Sequence, residues 1–310
     1  MEIIRGQHNL RDEHRGCVLT IGNFDGVHRG HQALIAQARE RAKELGLPLA
    51  VLSFEPTPRE FFTPEAVAGR VVTFRSRISL LSAQGVDRLV LQRFNKKFAS
   101  YDPLAFIEQL LVGKLGIRAL VIGDDFRFGA RRSGGVELLR EQGAKHGYTV
   151  ENLETVALDG CRCSSTALRE ALAEANVKLA AAILGRPYTL SGRVRRGLQL
   201  GRKLGMPTCN INLHRKLALK QGIYAVRAKV SGRDWQGVAS LGIRPTLGLT
   251  RCLLETHLFG EPGELYGQTM EVEFCRYLRP ELKFDSLDAL SEQMQRDADD
   301  ARAFFASNPA

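Results

Sequence analysis

Long apolar runs and targeting segments are what this sequence most clearly lacks. No apolar run approaches the roughly 18 residues that a membrane-spanning helix needs, and Met1–Leu10 has neither the charged nor the apolar region of a signal peptide. We therefore expect a cytoplasmic protein. The six cysteines form no Cys-x-x-Cys pair and have no nearby histidine at zinc-ligand spacing, so neither a zinc site nor a redox motif is indicated.

Tryptophan, tyrosine and long blocks of basic charge are also scarce. One Trp and six Tyr leave few rings to stack on bases, and the basic residues do not gather in one run, which disfavours a dedicated nucleic-acid binder. Lys and Arg nevertheless exceed Asp and Glu by 10, with 44 against 34. This excess fits anionic ligands such as nucleotides or phosphorylated metabolites, and equally a solvated basic surface. With 310 residues the chain is long enough for about two domains.

The first half alternates short apolar runs with longer segments of helical periodicity. Continuous apolar strands between helices predict an α/β domain with a parallel sheet wound on both sides, whose ligands lie beyond the carboxyl ends of the strands. The predicted strands cover residues 17–21, 49–54, 88–91, 119–122 and 148–150, and the predicted helices cover residues 34–45, 74–84, 101–112 and 135–146.

Three polar clusters follow strand ends or open helices in this half: Gly22–His31, Gly123–Gly129 and Cys163–Arg169. His28 and His31 share one face if a helix begins there, and would meet an anion together with free backbone N–H groups. Each cluster also has a plain structural explanation. The histidines fit a surface pair in a tight turn, the phenylalanines of the second cluster fit the core, and the hydroxyl residues of the third fit a helix cap. We expect the clusters to converge at one edge of the sheet.

From Tyr188 onward the periodicity changes to two. Alternating strands over 223–230, 235–241, 253–258 and 270–278, separated by glycine and proline turns, predict an antiparallel β-barrel, and a closing helix is predicted over 286–305. We place the domain boundary near residue 185, which gives domains of 1–185 and 186–310.

A glycine-rich basic loop, Gly192–Asn210, is the main chemical feature of the second half. It is not a Walker A loop, but its backbone N–H groups could cradle phosphates. Thr208 and Asn210 carry oxygen ligands of the kind that Mg²⁺ uses beside nucleotide phosphates. On spacing alone, an ordinary Pro-Thr turn between strands is at least as well supported.

The motifs of both halves resemble those of the bacterial bifunctional riboflavin kinase/FAD synthetases. The three clusters of the first half resemble the adenylyltransferase module, and Gly192–Asn210 resembles the loop of the riboflavin kinase module, with Cys209 where the family has Ala. Together the two resemblances cover nearly the whole chain. The second resemblance continues through residues 222–226, 241–248, 254–258, 265–267 and 297–302.

For the first half, the resemblance implies attack of the FMN phosphate on the α-phosphorus of ATP, with pyrophosphate leaving. His28 and His31 are then catalytic donors to the phosphates, and Asp125 and Phe126 lie on the flavin side. The implied ATP-binding residues of this site are Gly22, Asn23, Phe24, Asp25, Gly26, Gly30, Ser164, Ser165, Thr166 and Arg169.

For the second half, the resemblance implies transfer of the γ-phosphate of ATP to riboflavin, with Glu255 as general base and Mg²⁺ on Thr208 and Asn210. The implied ATP-binding residues are Gly192, Gly201, Gly205, Pro207, Thr208 and Asn210, and the implied flavin-binding residues are Phe284, Asp297 and Arg302.

The resulting hypothesis is an enzyme that makes FMN and then FAD, with riboflavin, FMN, FAD and ATP as ligands and neither nucleic acid nor membrane as partner. Two other hypotheses compete with it. One is a different nucleotidylyltransferase fused to an unrelated barrel, which leaves the motifs of the second half unexplained. The other is a nucleic-acid-binding module that uses the barrel and the positive charge.

Overall fold

The structure is a computed structural model that describes residues 1–64, 69–154, 156–158, 161–197, 199–213, 217–246 and 249–309. The chain divides into two compact units. The first takes in Met1–Val67 and Arg77–Cys163, and the second takes in Ala68–Ser76 and Ser164–Ala310. Within the described ranges, no helix has the length and apolar character needed to cross a membrane.

A six-stranded sheet forms the centre of the first unit. All neighbouring strands are parallel and lie in the order β1-β4-β3-β2-β5-β6, which confirms the predicted parallel sheet. The strands are β1 (Glu2–Arg5), β2 (Val18–Ile21), β3 (Leu49–Glu55), β4 (Arg88–Arg93), β5 (Ala119–Gly123) and β6 (Thr149–Leu153). A short antiparallel ladder of β7 (Ala157–Leu158) and β8 (Cys161–Arg162) follows.

Helices connect these strands. They are α1 (Arg29–Leu45), α2 (Pro58–Phe62), α3 (Phe74–Ala83), α4 (Lys96–Ala99), α5 (Pro103–Ala105), a π-helical stretch (Phe106–Lys114) and α6 (Val136–His146), with 3₁₀ turns at Gln7–Asn9, Asp12–His14 and Ala130–Arg132. Alternate residues of the strands enter two apolar clusters. One cluster includes Ile35 of α1 and Leu81 of α3, and the other includes Leu110 and Leu139. The sheet is therefore covered on both faces.

A closed antiparallel barrel forms the centre of the second unit, in the strand order β10-β13-β12-β11-β14-β9. This confirms the predicted barrel, although β9 and β10 were not among the predicted strands. The strands are β9 (Thr189–Arg195), β10 (Cys209–Asn212), β11 (Gly222–Val230), β12 (Arg233–Thr246), β13 (Leu249–Leu258) and β14 (Thr269–Arg279).

The helices of the second unit are α7 (Ser165–Ala173), α8 (Val177–Leu184), α9 (Leu200–Lys203) and α10 (Leu287–Ser307). Ala298, Ala301 and Phe305 of α10 pack against Ile223 and Val238 on the outer face of the barrel. The predicted closing helix is thus present, and Ser286 caps it by accepting from the Ala289 N–H at 3.1 Å.

Helices α7 and α8 belong to the barrel unit, so the two compact units divide between Cys163 and Ser164. Backbone contacts explain this division, since the Lys220 N–H donates to the Leu172 carbonyl at 3.0 Å. A segment from the first half of the chain also packs here: the Tyr188 hydroxyl donates to the Val71 carbonyl at 2.7 Å. The boundary near residue 185 stays a prediction.

Candidate active sites

The turn between β2 and α1 carries the first candidate site. His28 is the N-cap of α1, and its Nδ1 accepts a hydrogen bond from the His31 N–H at 3.4 Å. The two imidazole rings stack with their centroids 3.7 Å apart. A neutral His28 ring that accepts at Nδ1 carries its proton on Nε2, so Nε2 is a donor. The predicted pair is therefore brought together at the start of a helix, where the backbone also favours anions.

The same turn has an unusual backbone. Phe24 and Val27 have φ values of 51° and 45°, and Gly26 has 85°. Positive φ is costly for a β-branched or bulky residue, on the order of 1–3 kcal/mol, and persists only where surrounding contacts hold it. One such contact is the Gln32 side chain, which donates to the Val27 carbonyl at 2.8 Å. Asp25 is buried and Asn23 is exposed.

The Phe24 side chain lies in the core. It is 0% exposed and belongs to the apolar cluster beneath α1. Its ring also lies 5.0 Å from the His31 ring, measured between centroids. The Phe24 ring therefore packs against His31 from the core side. Only the backbone of Phe24 is left to make the predicted contact with ATP.

Gly30 provides a close approach in the first turn of α1. A Cβ atom at this position would lie 2.9 Å from the Cys163 carbonyl oxygen and 3.2 Å from the His28 ring. A Cβ at Gly22 would lie 3.1 Å from the Phe24 ring. These two predicted residues allow the backbone and rings of the turn to pack closely, whatever ligand it binds.

The second cluster lies beside this turn in the sheet. β2 and β5 are parallel neighbours, and the chain continues from β2 to β3 on one side while β5 lies on the other. Such a switch point leaves a crevice at the carboxyl ends of the two strands, which is where open α/β sheets bind ligands. The Gly22–His31 turn and the Gly123–Gly129 cluster follow these two strands. The structure thus places the first two predicted clusters at one edge.

Asp125 and Phe126 lie in the second cluster. The Asp125 carboxylate is exposed and pairs with the Arg162 guanidinium at 2.7 Å. Phe126 is half-buried, and its ring stacks with Phe128 at a centroid distance of 5.8 Å. Phe128 is in the core, so Phe126 is the ring of this pair that has a face left for a ligand.

Further aromatic rings, which the sequence analysis did not single out, lie at the same edge. Phe62 is 63% exposed and makes edge contacts with Phe61 and Phe94. These rings follow the carboxyl ends of β3 and β4. An exposed phenylalanine beside others is a surface on which a planar ring system can stack. The signal in the sequence was the adjacent pair Phe61-Phe62 in the connection that follows the predicted strand 49–54.

The third cluster, Ser164–Arg169, lies in the second unit at the start of α7. Ser164 caps the helix by accepting from the Ala167 N–H at 3.2 Å. Arg169 donates from Nη1 to the Ser165 carbonyl at 3.1 Å. These contacts confirm the cap that the sequence suggested. The binding of ATP by Ser164, Ser165, Thr166 and Arg169 stays a prediction.

The second candidate site lies on the barrel. Asn210 of β10 is directly opposite Glu255 of β13, which in turn is opposite Ser240 of β12. Residues in such register share one face of a sheet. Leu254 and Thr256 are fully buried on the inner face of β13. Glu255, which is half-buried, therefore lies on the outer face together with Asn210. The predicted base and the predicted magnesium ligand are therefore adjacent.

At two glycines of the basic loop, the backbone lies very close to the predicted magnesium ligands. A Cβ at Gly197 would lie 2.8 Å from Cγ of Asn210, and a Cβ at Gly201 would lie 2.3 Å from the Met206 carbonyl and 3.3 Å from Cγ2 of Thr208. Gly197 was not among the predicted site residues. Of the other two predicted glycines, Gly192 lies in the β9 wall against Ile211, and Gly205 forms a turn with a φ of 76°.

A pocket of about 250 Å³ opens beside this loop. Its lining combines the basic residue Arg202 and the hydroxyl residue Thr208 with two acidic residues of the β13–β14 turn, Glu261 and Glu264. Its lining includes Val194, Gln199, Arg202, Pro207, Thr208, Cys209, Leu258, Pro262, Leu265 and Tyr266. A mixed polar and aromatic lining of this kind suits a ligand that carries both hydrogen-bond donors and acceptors.

The predicted flavin residues of the barrel unit have other partners. Asp297 is buried, and both of its carboxylate oxygens accept from Arg279 at 2.6 Å. Arg302 pairs with Asp299 at 2.8 Å. Phe284 is half-buried in the segment before α10. Their contacts with flavin stay predictions, and the structure gives Asp297 a structural role.

Oxygen ligands in this site fit magnesium. The Asn210 amide nitrogen donates to the Thr208 carbonyl at 3.4 Å, so its Oδ1 is the atom that could bind a cation. Asn210 is 6% exposed. Mg²⁺ is bound in proteins by a few oxygen ligands together with substrate phosphates and water. Among the described residues, no cluster of His, Cys, Asp or Glu could hold a metal by itself.

Comparison with known proteins gives matches over the whole chain. Residues 10–167 match the family model for FAD synthetase, and residues 184–305 match that for riboflavin kinase. A bifunctional riboflavin kinase/FMN adenylyltransferase of Pseudomonas fluorescens is 47% identical over 99% of this chain and 98% of its own. The protein of that name from Haemophilus influenzae is 46% identical over 99% of this chain and 100% of its own.

A solved structure described as a macrolide-efflux protein from Streptococcus pneumoniae also matches, with a TM-score of 0.82 and 28% identity over 97% of this chain and 99% of that one. This likeness extends the shared fold through both units. The order of the two family models agrees with the order of the two candidate sites. The chain belongs to the family of bifunctional riboflavin kinase/FMN adenylyltransferases.

Proposed function

We propose that this chain phosphorylates riboflavin to FMN on the barrel unit and adenylylates FMN to FAD on the parallel-sheet unit, with Mg²⁺-ATP as second substrate of each reaction. The observation that carries the proposal is the pairing of Asn210 with Glu255 across β10 and β13. The name of each relative describes the same two activities.

Glu255 is the proposed general base of the kinase reaction. Its carboxylate takes the proton of the riboflavin 5′-hydroxyl as that oxygen attacks the γ-phosphorus of ATP, and ADP leaves. The half-buried position of Glu255 suits this role, because the carboxylate is accessible yet fixed by the strand. Asn210 and Thr208 would hold Mg²⁺, which when bound supplies positive charge to the phosphates.

His28 and His31 are the proposed donors of the adenylyl transfer. An oxygen of the FMN phosphate attacks the α-phosphorus of ATP, the bond to the β-phosphate oxygen breaks, and pyrophosphate leaves. Negative charge grows on the α-phosphate oxygens and the leaving group, so donors fixed in advance lower the barrier. The capping and stacking contacts fix both rings before ATP arrives. Phe126 and the exposed Phe62 are the proposed stacking surface for the flavin.

The test is to incubate the purified protein with riboflavin, ATP and MgCl₂ and to follow FMN and FAD by chromatography. Riboflavin is expected to disappear, FMN to rise and fall, and FAD to accumulate. Salt-sensitive binding of RNA or DNA with no flavin product would favour the nucleic-acid module instead.

Variants separate the two sites. Glu255→Gln is expected to lower FMN formation at least 100-fold while FMN supplied directly still becomes FAD, and Glu271→Gln, an exposed carboxylate on β14, serves as the matched control. His31→Ala is expected to block the second reaction, so that FMN accumulates and no FAD forms. His146→Ala, which changes an exposed histidine at the end of α6, serves as its matched control. If Glu255→Gln leaves riboflavin phosphorylation unchanged, the assignment of the base is wrong.

A further inference from the structure

Arg77 is a buried basic residue behind the turn that follows β2. Its side chain is 4% exposed. Nη1 donates to the Asn23 carbonyl at 3.1 Å, and Nη2 donates to Oε2 of Glu55 at 3.0 Å. Burial of a guanidinium is costly unless it is paired and hydrogen-bonded. These two contacts meet that requirement, and both lie at the carboxyl edge of the sheet.

The contact with Asn23 acts on the strained part of the turn. The same carbonyl also accepts from the Ser53 hydroxyl at 3.3 Å. Two donors on one carbonyl fix the plane of the peptide that joins Asn23 to Phe24, because the peptide unit is rigid and planar. Rotation of that peptide is the route by which Phe24 would leave its positive φ of 51°. The two donors therefore oppose relaxation of the turn.

The contact with Glu55 anchors Arg77 itself. Glu55 ends β3, which is hydrogen-bonded to β2 in the sheet. The guanidinium also reaches the Phe54 carbonyl at 3.5 Å, one residue earlier. Arg77 thus fastens the turn after β2 to the end of the neighbouring strand, and its position is set by the sheet rather than by the turn.

Phe24 transmits this position to the candidate site, because its ring lies 5.0 Å from the His31 ring. We propose that Arg77 is a positioning residue of the FMN adenylyltransferase site, which holds Phe24 through the Asn23 carbonyl and thereby fixes the imidazole of His31 for ATP. This inference rests on the proposed function of the parallel-sheet unit. Arg77 is buried behind the turn and does not itself meet the substrate.

The experiment compares Arg77→Met, Arg77→Lys and wild-type protein in steady-state FAD formation from FMN, with ATP varied. Arg77→Met is expected to lower kcat/KM for ATP about 10- to 100-fold, the usual effect of losing a hydrogen bond from a charged group. Part of the loss falls on KM for ATP, which a smaller folded fraction would leave unchanged. Arg77→Lys is expected to recover part of it, because an ammonium can still donate to the carbonyl.

The chain offers two controls. Arg88 lies in the same unit and donates to the carbonyls of His14 and Glu13 at 3.2 and 3.1 Å, away from the turn. Arg88→Met therefore removes comparable backbone anchors and is expected to leave KM for ATP in FAD formation unchanged. Riboflavin phosphorylation, measured on the same samples, is expected to be unchanged in every variant.

A second variant covers the case in which Arg77→Met does not fold. Ser53→Ala removes the other donor to the Asn23 carbonyl and leaves the ion pair intact, and it is expected to raise KM for ATP in FAD formation by a smaller factor. The proposal is overturned if Arg77→Met or Ser53→Ala keeps wild-type KM and kcat, or if Arg88→Met has the same effect as Arg77→Met. Wild-type protein that makes no FAD would instead overturn the proposed function, and the inference with it.

Discussion

The ion pair between Asp297 and Arg279 gives the sharpest prediction about the barrel unit. It joins α10 to the end of β14, and Asp297 also accepts from the Gln293 amide at 3.0 Å. The side chains are 5% and 18% exposed. Removal of one partner of a buried pair leaves an uncompensated charge and typically costs about 3–5 kcal/mol. Because Arg279 keeps some solvent, we expect Asp297→Ala to lower the free energy of unfolding by about 3 kcal/mol.

Tryptophan fluorescence during urea unfolding measures this effect in the right unit, because the single Trp of the chain, Trp235, lies in β12 of the barrel. A double-mutant cycle completes the test. Arg279→Met is expected to be destabilising by itself, and Arg279→Met with Asp297→Ala to cost less than the sum of the two, because no charge is then left unpaired. If Asp297→Ala instead leaves the urea midpoint unchanged and raises KM for riboflavin, the carboxylate binds flavin and the structural role is wrong.

The remaining predictions concern close approaches and a thiol. Gly201→Ala should lower FMN formation at least about 10-fold and spare FAD formation from FMN, because its Cβ would meet the Met206 carbonyl 2.3 Å away. Gly30→Ala should lower FAD formation from FMN and spare FMN formation, because its Cβ would lie 2.9 Å from the Cys163 carbonyl. Burial raises the pKa of the Cys209 thiol to about 11, so alkylation by iodoacetamide at pH 8 should be slow, accelerate as the pH rises towards 11, and be slowed further by ATP.

Controls for these three tests come from the same chain. Gly232→Asn and Gly46→Asn alter turn glycines with φ of 74° and 62° and no neighbour within 4 Å of the new Cβ, so both activities should persist. Peptide mapping by mass spectrometry assigns alkylation to Cys209. Wild-type rates of both reactions in Gly201→Ala and Gly30→Ala would contradict the packing argument, and fast alkylation at pH 8 would contradict the buried thiol.

Elements with strong local signals could be predicted from the sequence. Helix α1 ends where Gly46 adopts a left-handed φ of 62°, as the glycine and the following proline indicated. Strand β1 was missed because its two apolar residues, Ile3 and Ile4, are adjacent and so do not alternate with polar residues, and only Ile4 is buried. Strand β9 was missed because Gly192 packs against Ile211 across the barrel wall, a contact that local sequence cannot show.

In the candidate sites, too, contacts within one motif could be predicted from the sequence, and contacts that depend on tertiary structure could not. Adjacent motif residues such as His28 and His31 were predictable, since their contact follows from a cap and the first helical turn. The pairing of Asn210 with Glu255 depends on strand register across the barrel, which the alternation of apolar and polar residues does not determine. Arg77 was not singled out, because an arginine in a helix is usually a surface residue and its burial depends on tertiary packing.

The segment that contributes Val71 to the barrel unit bears on how the chain folds during synthesis. Its partner Tyr188 lies 117 residues later in the sequence, so Val71 leaves the ribosome long before the barrel residues that bury it are synthesised. Contacts of such long range form late. The barrel surface that buries Val71 and Val72, which are 0% and 4% exposed in the finished protein, therefore forms only after the C-terminal half has emerged. A gene divided between the codons for Cys163 and Ser164 would leave this segment in the product that lacks its partner.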